Sequence, residues 1–191
     1  MKKAIFILLS LLMLGCTNNN APSDKPIEDR TAKSEVPAGS EQVISTVRDF
    51  LTWYKVNYKS VNGFNIVSKN DSLQYRVNTD ECGRMIEKLR SSGYFTKNAL
   101  DGLQAYFAKC GENFLKTRQN DGPPDGLDGD LVLCTQEIEE CLSKIETAEY
   151  KDVSIDGTSA KVTVQLIYDL PVKLKKEDNA WKIEKICRIG S

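Results

Sequence analysis

The repeat distance of apolar residues changes once along this chain, and that change limits the folds open to it. Between Ser40 and Thr147 apolar residues recur every third or fourth position, and from Tyr150 onward every second. The first period stripes one side of a helix; the second lines one face of a strand. A run of half-apolar strands must be covered, and only the preceding helices supply enough apolar surface to do it. The expectation is an α+β domain, with N-terminal helices packed on a curved C-terminal antiparallel sheet.

Ser40 reads as an N-cap with Glu41 beside the positive helix end, followed by Val43, Val47, Phe50, Tyr54, Tyr58 and Val61 on one face, widened by Ile44 and Leu51. Asn62-Gly63 stops this helix. Phe64 to Val77 reads as a short hairpin, with Leu73, Tyr75 and Val77 alternating and Asn70-Asp71 as its turn. Thr79 is positioned to cap a short helix ending at Gly93, and Thr96 to cap a longer one striped by Leu100, Leu103, Phe107, Cys110 and Phe114. Asn120 to Gly126 stacks several turn formers and must be loop. Its aspartates, with Asp128 and Asp130, miss the calcium-loop spacing and read as a solvated acidic turn. Thr135 to Thr147 fits one more short helix with Ile138, Cys141, Leu142 and Ile145 inward.

In the alternating region Val153 and Ile155 precede the Asp156-Gly157 turn, and Ala160, Val162, Val164, Leu166 and Tyr168 alternate with polar residues. Val172 and Leu174 follow, then a turn at Asp178-Asn179, then Trp181 and Ile183. Ile186 breaks the phase, which places a bulge near Lys185. Lys173, Lys175 and Lys176 read as the solvated side of a strand.

Before the domain lies a different kind of sequence. Lys2 and Lys3 precede the apolar run Ala4 to Leu14, which is too short to span a bilayer. Leu12-Met13-Leu14-Gly15-Cys16 resembles the lipobox of bacterial lipoproteins. The resemblance implies a signal peptide over 1–15, lipidation of Cys16, and stable membrane attachment through two or three acyl chains. Residues 16–39 hold an asparagine run, three prolines and scattered charge, so they read as a flexible tether with a span of about 25 Å. With nothing acidic directly after Cys16, the resemblance further implies the outer membrane, facing the periplasm. Residues 40–191 then form the single domain.

The chain contains no histidine, which removes Ser-His-Asp and Cys-His catalysis and histidine-ligated zinc. Without Lys2 and Lys3 it carries 24 basic against 27 acidic residues, dispersed along its length, so a nucleic-acid partner is not expected. No cofactor or metal motif is present, and none is expected to be bound. An envelope location permits disulfides among Cys82, Cys110, Cys134, Cys141 and Cys187, and the odd number leaves at least one thiol over. Cys134 and Cys141 on one helix would stand about 10 Å apart, too far to bridge. Long-range bridges are expected instead, Cys110 to Cys134 or to Cys141 first.

Helices first and meander last is the chain order of the nuclear-transport-factor-2-like, or cystatin-like, roll. Three stretches resemble an uncharacterised bacterial lipoprotein family with that fold: Val47 to Tyr54, Gly129 to Gln136, and Val172-Lys173-Leu174 through Trp181-Lys182-Ile183. The resemblance implies a cone between helix and sheet, open at one end. Tyr54, Tyr58, Tyr168 and Trp181 are the candidates to line it, and each also reads as core. The function expected is non-enzymatic binding of a protein, peptide or small ligand. The alternatives are a periplasmic toxin-immunity protein and a carboxylate-based hydrolase or isomerase using Asp49 or Asp169 with a tyrosine.

Overall fold

The computed structural model describes residues 37–191; the expected signal peptide (1–15), the expected lipidation of Cys16 and all but the last three residues of the expected tether (16–39) lie outside the described residues. Helix α1 (Ser40–Val61) is followed by a hairpin of β1 (Val67–Lys69) and β2 (Tyr75–Val77). Helices α2 (Thr79–Ser91) and α3 (Lys97–Thr117) come next, then a long loop and the short α4 (Ile138–Lys144). The chain closes with β3 (Glu149–Asp156), β4 (Ser159–Gln165), β5 (Asp169–Glu177) and β6 (Ala180–Ile186), a four-stranded antiparallel meander in sequence order. The expected α+β architecture is therefore present: helices packed against a four-stranded antiparallel sheet that does not close into a barrel.

The α1 stripe supplies the centre of the core. Val43, Val47, Phe50, Leu51, Tyr54 and Val61 are all fully buried, each worth roughly 1.5–3 kcal/mol of apolar transfer. They meet the inner sheet face of Ala160, Val162, Val164, Leu170, Val172, Leu174, Ile183 and Ile186. Two bulges bend this sheet. One lies in β3 between Lys151 and Ser154, where Asp152 has φ 53°, and the other opposite Lys173 and Leu174, within a residue of the position expected near Lys185. The β6 edge is covered by Tyr94 to Thr96: Ile183 donates to Tyr94 O and accepts from Thr96 N–H.

Four local expectations are corrected. Gly39, at φ 87°, is the N-cap of α1, and Ser40 is already helical; burial turns its hydroxyl back to Pro37 O at 2.6 Å. Asn78 rather than Thr79 caps α2, its amide oxygen accepting from Glu81 N–H at 3.3 Å. Leu73 is not in a strand: it sits exposed in the turn at φ 60°, because Asn70 Oδ1 accepts from both Ser72 and Gln74 N–H and makes the turn longer than two residues. The alternation through Leu166 and Tyr168 ends earlier than expected, since β4 stops at Gln165 and Leu166 N–H donates to Tyr168 O in a tight reversal. Thr96, by contrast, caps α3 as read, accepting from Ala99 N–H at 3.0 Å.

Candidate functional site

The space between α1 and the sheet is filled by side chains. Phe50 stacks on Trp53 with ring centroids 6.2 Å apart, lies tilted to Tyr54 at 6.0 Å, and meets Tyr94 and Phe95 edge-on. Of the four candidate lining residues, only Tyr54 and Tyr58 come together, edge to face at 5.9 Å. Tyr54 is fully buried and Tyr58 half-buried. Tyr168 lies in the β4–β5 turn beside Cys141, with its hydroxyl unpaired, and burial raises its pKa. Trp181 sits at the far end of β6 under Lys176, whose ammonium is 5.8 Å from the ring. Asp49 and Asp169 are exposed, and Asp169 pairs with Lys151 at 2.9 Å.

The buried carboxylate is Asp130, which the sequence grouped with its solvated neighbours. Asp130 Oδ1 accepts from the N–H groups of Val132 at 2.8 Å and Leu133 at 2.6 Å. Its Oδ2 accepts from the Tyr54 hydroxyl, which itself accepts from Asn62 Nδ2 at 2.8 Å. Burial pushes the Asp130 pKa up, against the hydrogen bonds that lower it; burial and the nearby Asp130 charge push Tyr54 well above its usual value. Both carboxylate oxygens are occupied, so an external molecule would have to displace Tyr54 to reach Oδ2. As it stands, the arrangement anchors the long loop to α1. The only signal for it in the sequence was Asp130 standing directly before the apolar run Leu131-Val132-Leu133.

The same loop carries the disulfide. Cys134 bridges Cys187 with Cα atoms 5.4 Å apart, across 53 residues, which overturns the expected pairing of Cys110 with Cys134 or Cys141. Cys82, Cys110 and Cys141 are free and buried. Cys110 lies on the α3 stripe facing Gly126 and Tyr106, while a left-handed backbone at Cys134 (φ 53°) and Cys187 (φ 48°) aims those two at each other. Burial raises the pKa of all three free thiols, that of Cys82 to about 12. Among the described residues no group of three or more His, Cys, Asp or Glu side chains is arranged to hold a metal ion, and no helix is long and apolar enough to cross a membrane.

Among the described residues an apolar concavity lies on the outside of the helical layer, between α2, α3 and β2. It has a volume of about 690 Å³ and a floor of Val77, Ile86, Phe107, Ala108 and Gly111. Leu115 borders it at 56% exposure, a large apolar side chain left without cover. Arg76, Glu87, Arg90 and Glu112 ring it with both signs of charge, Arg90 holding Glu87 at 3.1 Å. The groove exists partly because two helical positions lack side chains. A Cβ on Gly111 would meet Val77 at 3.5 Å, whereas one on Gly83 would meet nothing within 4 Å. Sequence periodicity identified the buried stripe of α3, but Leu115 falls one position off that stripe and gave no signal.

No protein-family model, curated protein or solved structure matches the chain.

Proposed function

We propose that this chain is a lipid-anchored bacterial envelope protein, related to the roll-fold lipoproteins its motifs resemble. Lipid on Cys16 holds it at the outer membrane on the periplasmic side, and its domain binds a peptide segment of an envelope protein in the α2–α3 groove, without turnover. The observation that carries this reading is the groove itself: an open apolar cleft of about 690 Å³ with an uncovered Leu115, of the size and lining that binding sites have. Charges of both signs on its rim match a polypeptide, which offers apolar anchors together with acids and bases, better than a ligand of one charge. The Cys134–Cys187 bridge agrees with an oxidising compartment.

The test is photo-crosslinking in intact envelope from a probe amino acid placed at Leu115, followed by binding of peptides from the captured protein to the purified mature chain. Leu115→Glu is exposed enough to leave the fold intact and is expected to weaken peptide binding at least tenfold. A captured protein whose peptides ignore Leu115→Glu would remove the groove from the reading. Turnover of an envelope substrate by the purified protein would remove the non-enzymatic claim. If the captured protein is a toxin, the domain is its immunity partner.

A second reading, a carboxylate-based hydrolase or isomerase, would use the Asp130 carboxyl as its proton carrier, and it requires Tyr54 to leave Oδ2 when substrate enters. Its test is a panel of envelope ester, amide and glycoside substrates. Activity lost in Tyr54→Phe with the fold intact would establish it.

A further inference from the structure

The solvent side of the sheet carries an array of lysines that neither the core nor the groove uses. In strand register Lys161 on β4 stands opposite Lys173 on β5, and Lys173 opposite Lys185 on β6. One step along, Lys175 stands opposite Lys182. Directly opposed side chains on one face have Cβ atoms about 5 Å apart, and like charges there destabilise a sheet. Among the described residues none of these five lysines ion-pairs with a carboxylate; the pair on this face is Lys151 with Asp169. Glu184 borders the array from the β6 bulge, and Asp156 on β3 and Glu177 at the end of β5 flank it on the same face, leaving five lysines against three carboxylates.

Ordinary explanations do not reach it. Lysines guard sheet edges against strand addition, but β4 and β5 are interior strands. The chain as a whole is not basic, with 26 Lys and Arg against 27 Asp and Glu. Solvent exposure calls only for polar residues, and Thr163 and Gln165 meet that need on the same face of β4.

We infer that this face is a docking surface for anionic phospholipid headgroups, a reading that rests on the lipid anchoring proposed above. Lysines are point charges on flexible stems, and the array has no arginine fork to fix one small anion. A shallow cleft of about 590 Å³ runs among Lys161, Lys173, Lys175 and Lys176, with the Ser154 and Ser159 hydroxyls beside them and the carboxylates of Asp156, Glu177 and Glu184 also on its lining, so four lysines face three acids there. No aromatic side chain projects among these lysines to serve as the buried anchor on which protein interfaces centre. Spread charge without an anchor fits an extended anionic surface, which attracts each nearby lysine within a Debye length.

The test is co-sedimentation of the mature chain, residues 16–191 carrying Cys16→Ser, with vesicles of phosphatidylglycerol and phosphatidylcholine against phosphatidylcholine alone. Binding is expected only to the anionic vesicles, with release at high salt. Lys161→Gln, Lys173→Gln and Lys185→Gln together are expected to lower partitioning on the order of a hundredfold. Their thermal unfolding should be unchanged or raised, because a repulsive row is removed. Equal binding to both vesicle types, undiminished binding by the triple variant, or capture of an acidic protein with no vesicle binding would each overturn the inference. Metabolic palmitate labelling of the Cys16 protein tests the anchor separately. Labelled protein whose unlipidated form ignores anionic vesicles overturns the docking surface and leaves the anchor standing; vesicle binding without labelling does the reverse.

Discussion

Asp130 concentrates more of the fold's polar chemistry than any other side chain described above. Replacing it with alanine leaves the Val132 and Leu133 N–H groups and the Tyr54 hydroxyl without their partner, an expected loss of about 3 kcal/mol or more in urea unfolding. Asp130→Asn keeps an acceptor for the two backbone donors and should lose less. The pair of variants also separates charge from geometry. Burial holds the folded-state pKa of Asp130 above its unfolded value, so protonation favours the folded chain. Its contribution is fully present below the ordinary carboxylate pKa of about 4 and is lost as pH rises through the raised value. The stability difference between wild type and Asp130→Asn should therefore shrink with rising pH across that window; a difference independent of pH would mean the carboxyl titrates as in water. Cysteine chemistry belongs to the same scale. Cys82, Cys110 and Cys141 are buried, their pKa values raised by desolvation, and the thiolate is the reactive form. A thiol reagent at neutral pH should label none of them quickly in the folded Cys16→Ser chain, and all three once it is unfolded.

At the scale of elements, the bridge and the two helical glycines Gly83 and Gly102 each carry a stability prediction, and the glycines differ in sign. Closing 53 residues between Cys134 and Cys187 stabilises the fold by about 4 kcal/mol in the chain-entropy account. Cys187→Ser should lose about that much, and reductant should then have no further effect. Gly83→Ala meets open space and should stabilise α2 by about 0.5–1 kcal/mol. Gly102→Ala should destabilise, because its Cβ would press on the Gly190 backbone at 3.1 Å, and a neighbouring backbone yields less readily than the end of a flexible side chain. Elements were legible where one physical cause dominates. The α1 and α3 stripes and the alternating strands follow from periodicity, and the Thr96 cap from its hydroxyl. Caps shifted by a residue at Gly39 and Asn78, where a left-handed glycine and an amide oxygen competed with a neighbouring hydroxyl. Disulfide pairing and the burial of Asp130 were not legible, because both depend on how a loop of residues 118–137 folds back against α1 and the chain after β6. The groove was only half legible: periodicity shows which side of a helix is buried, not whether its other side is covered.

Across the whole molecule, α1 touches β3, β4 and β6, and α3 packs on α2, β2 and β6, so helices and sheet share one core. Trp53 on α1 and Trp181 on β6 report on opposite layers of it. Their fluorescence and the far-ultraviolet dichroism should change in one coincident transition on denaturation; separated midpoints would mean that the layers unfold independently. The register of the sheet is also what gathers lysines that lie far apart in sequence, a global property invisible to any local pattern. The cysteine order has its own consequence for biosynthesis. If the chain is exported from its N-terminus, as the proposed envelope location requires, Cys82, Cys110 and Cys141 emerge before Cys187, and Cys141 lies inside the loop that the native bridge closes. An oxidant that joins cysteines as they emerge would couple Cys134 to an earlier or nearer thiol. Maturation is thus expected to depend on a disulfide isomerase, and cells lacking one should accumulate mispaired, protease-sensitive protein, which Cys110→Ala and Cys141→Ala together should restore.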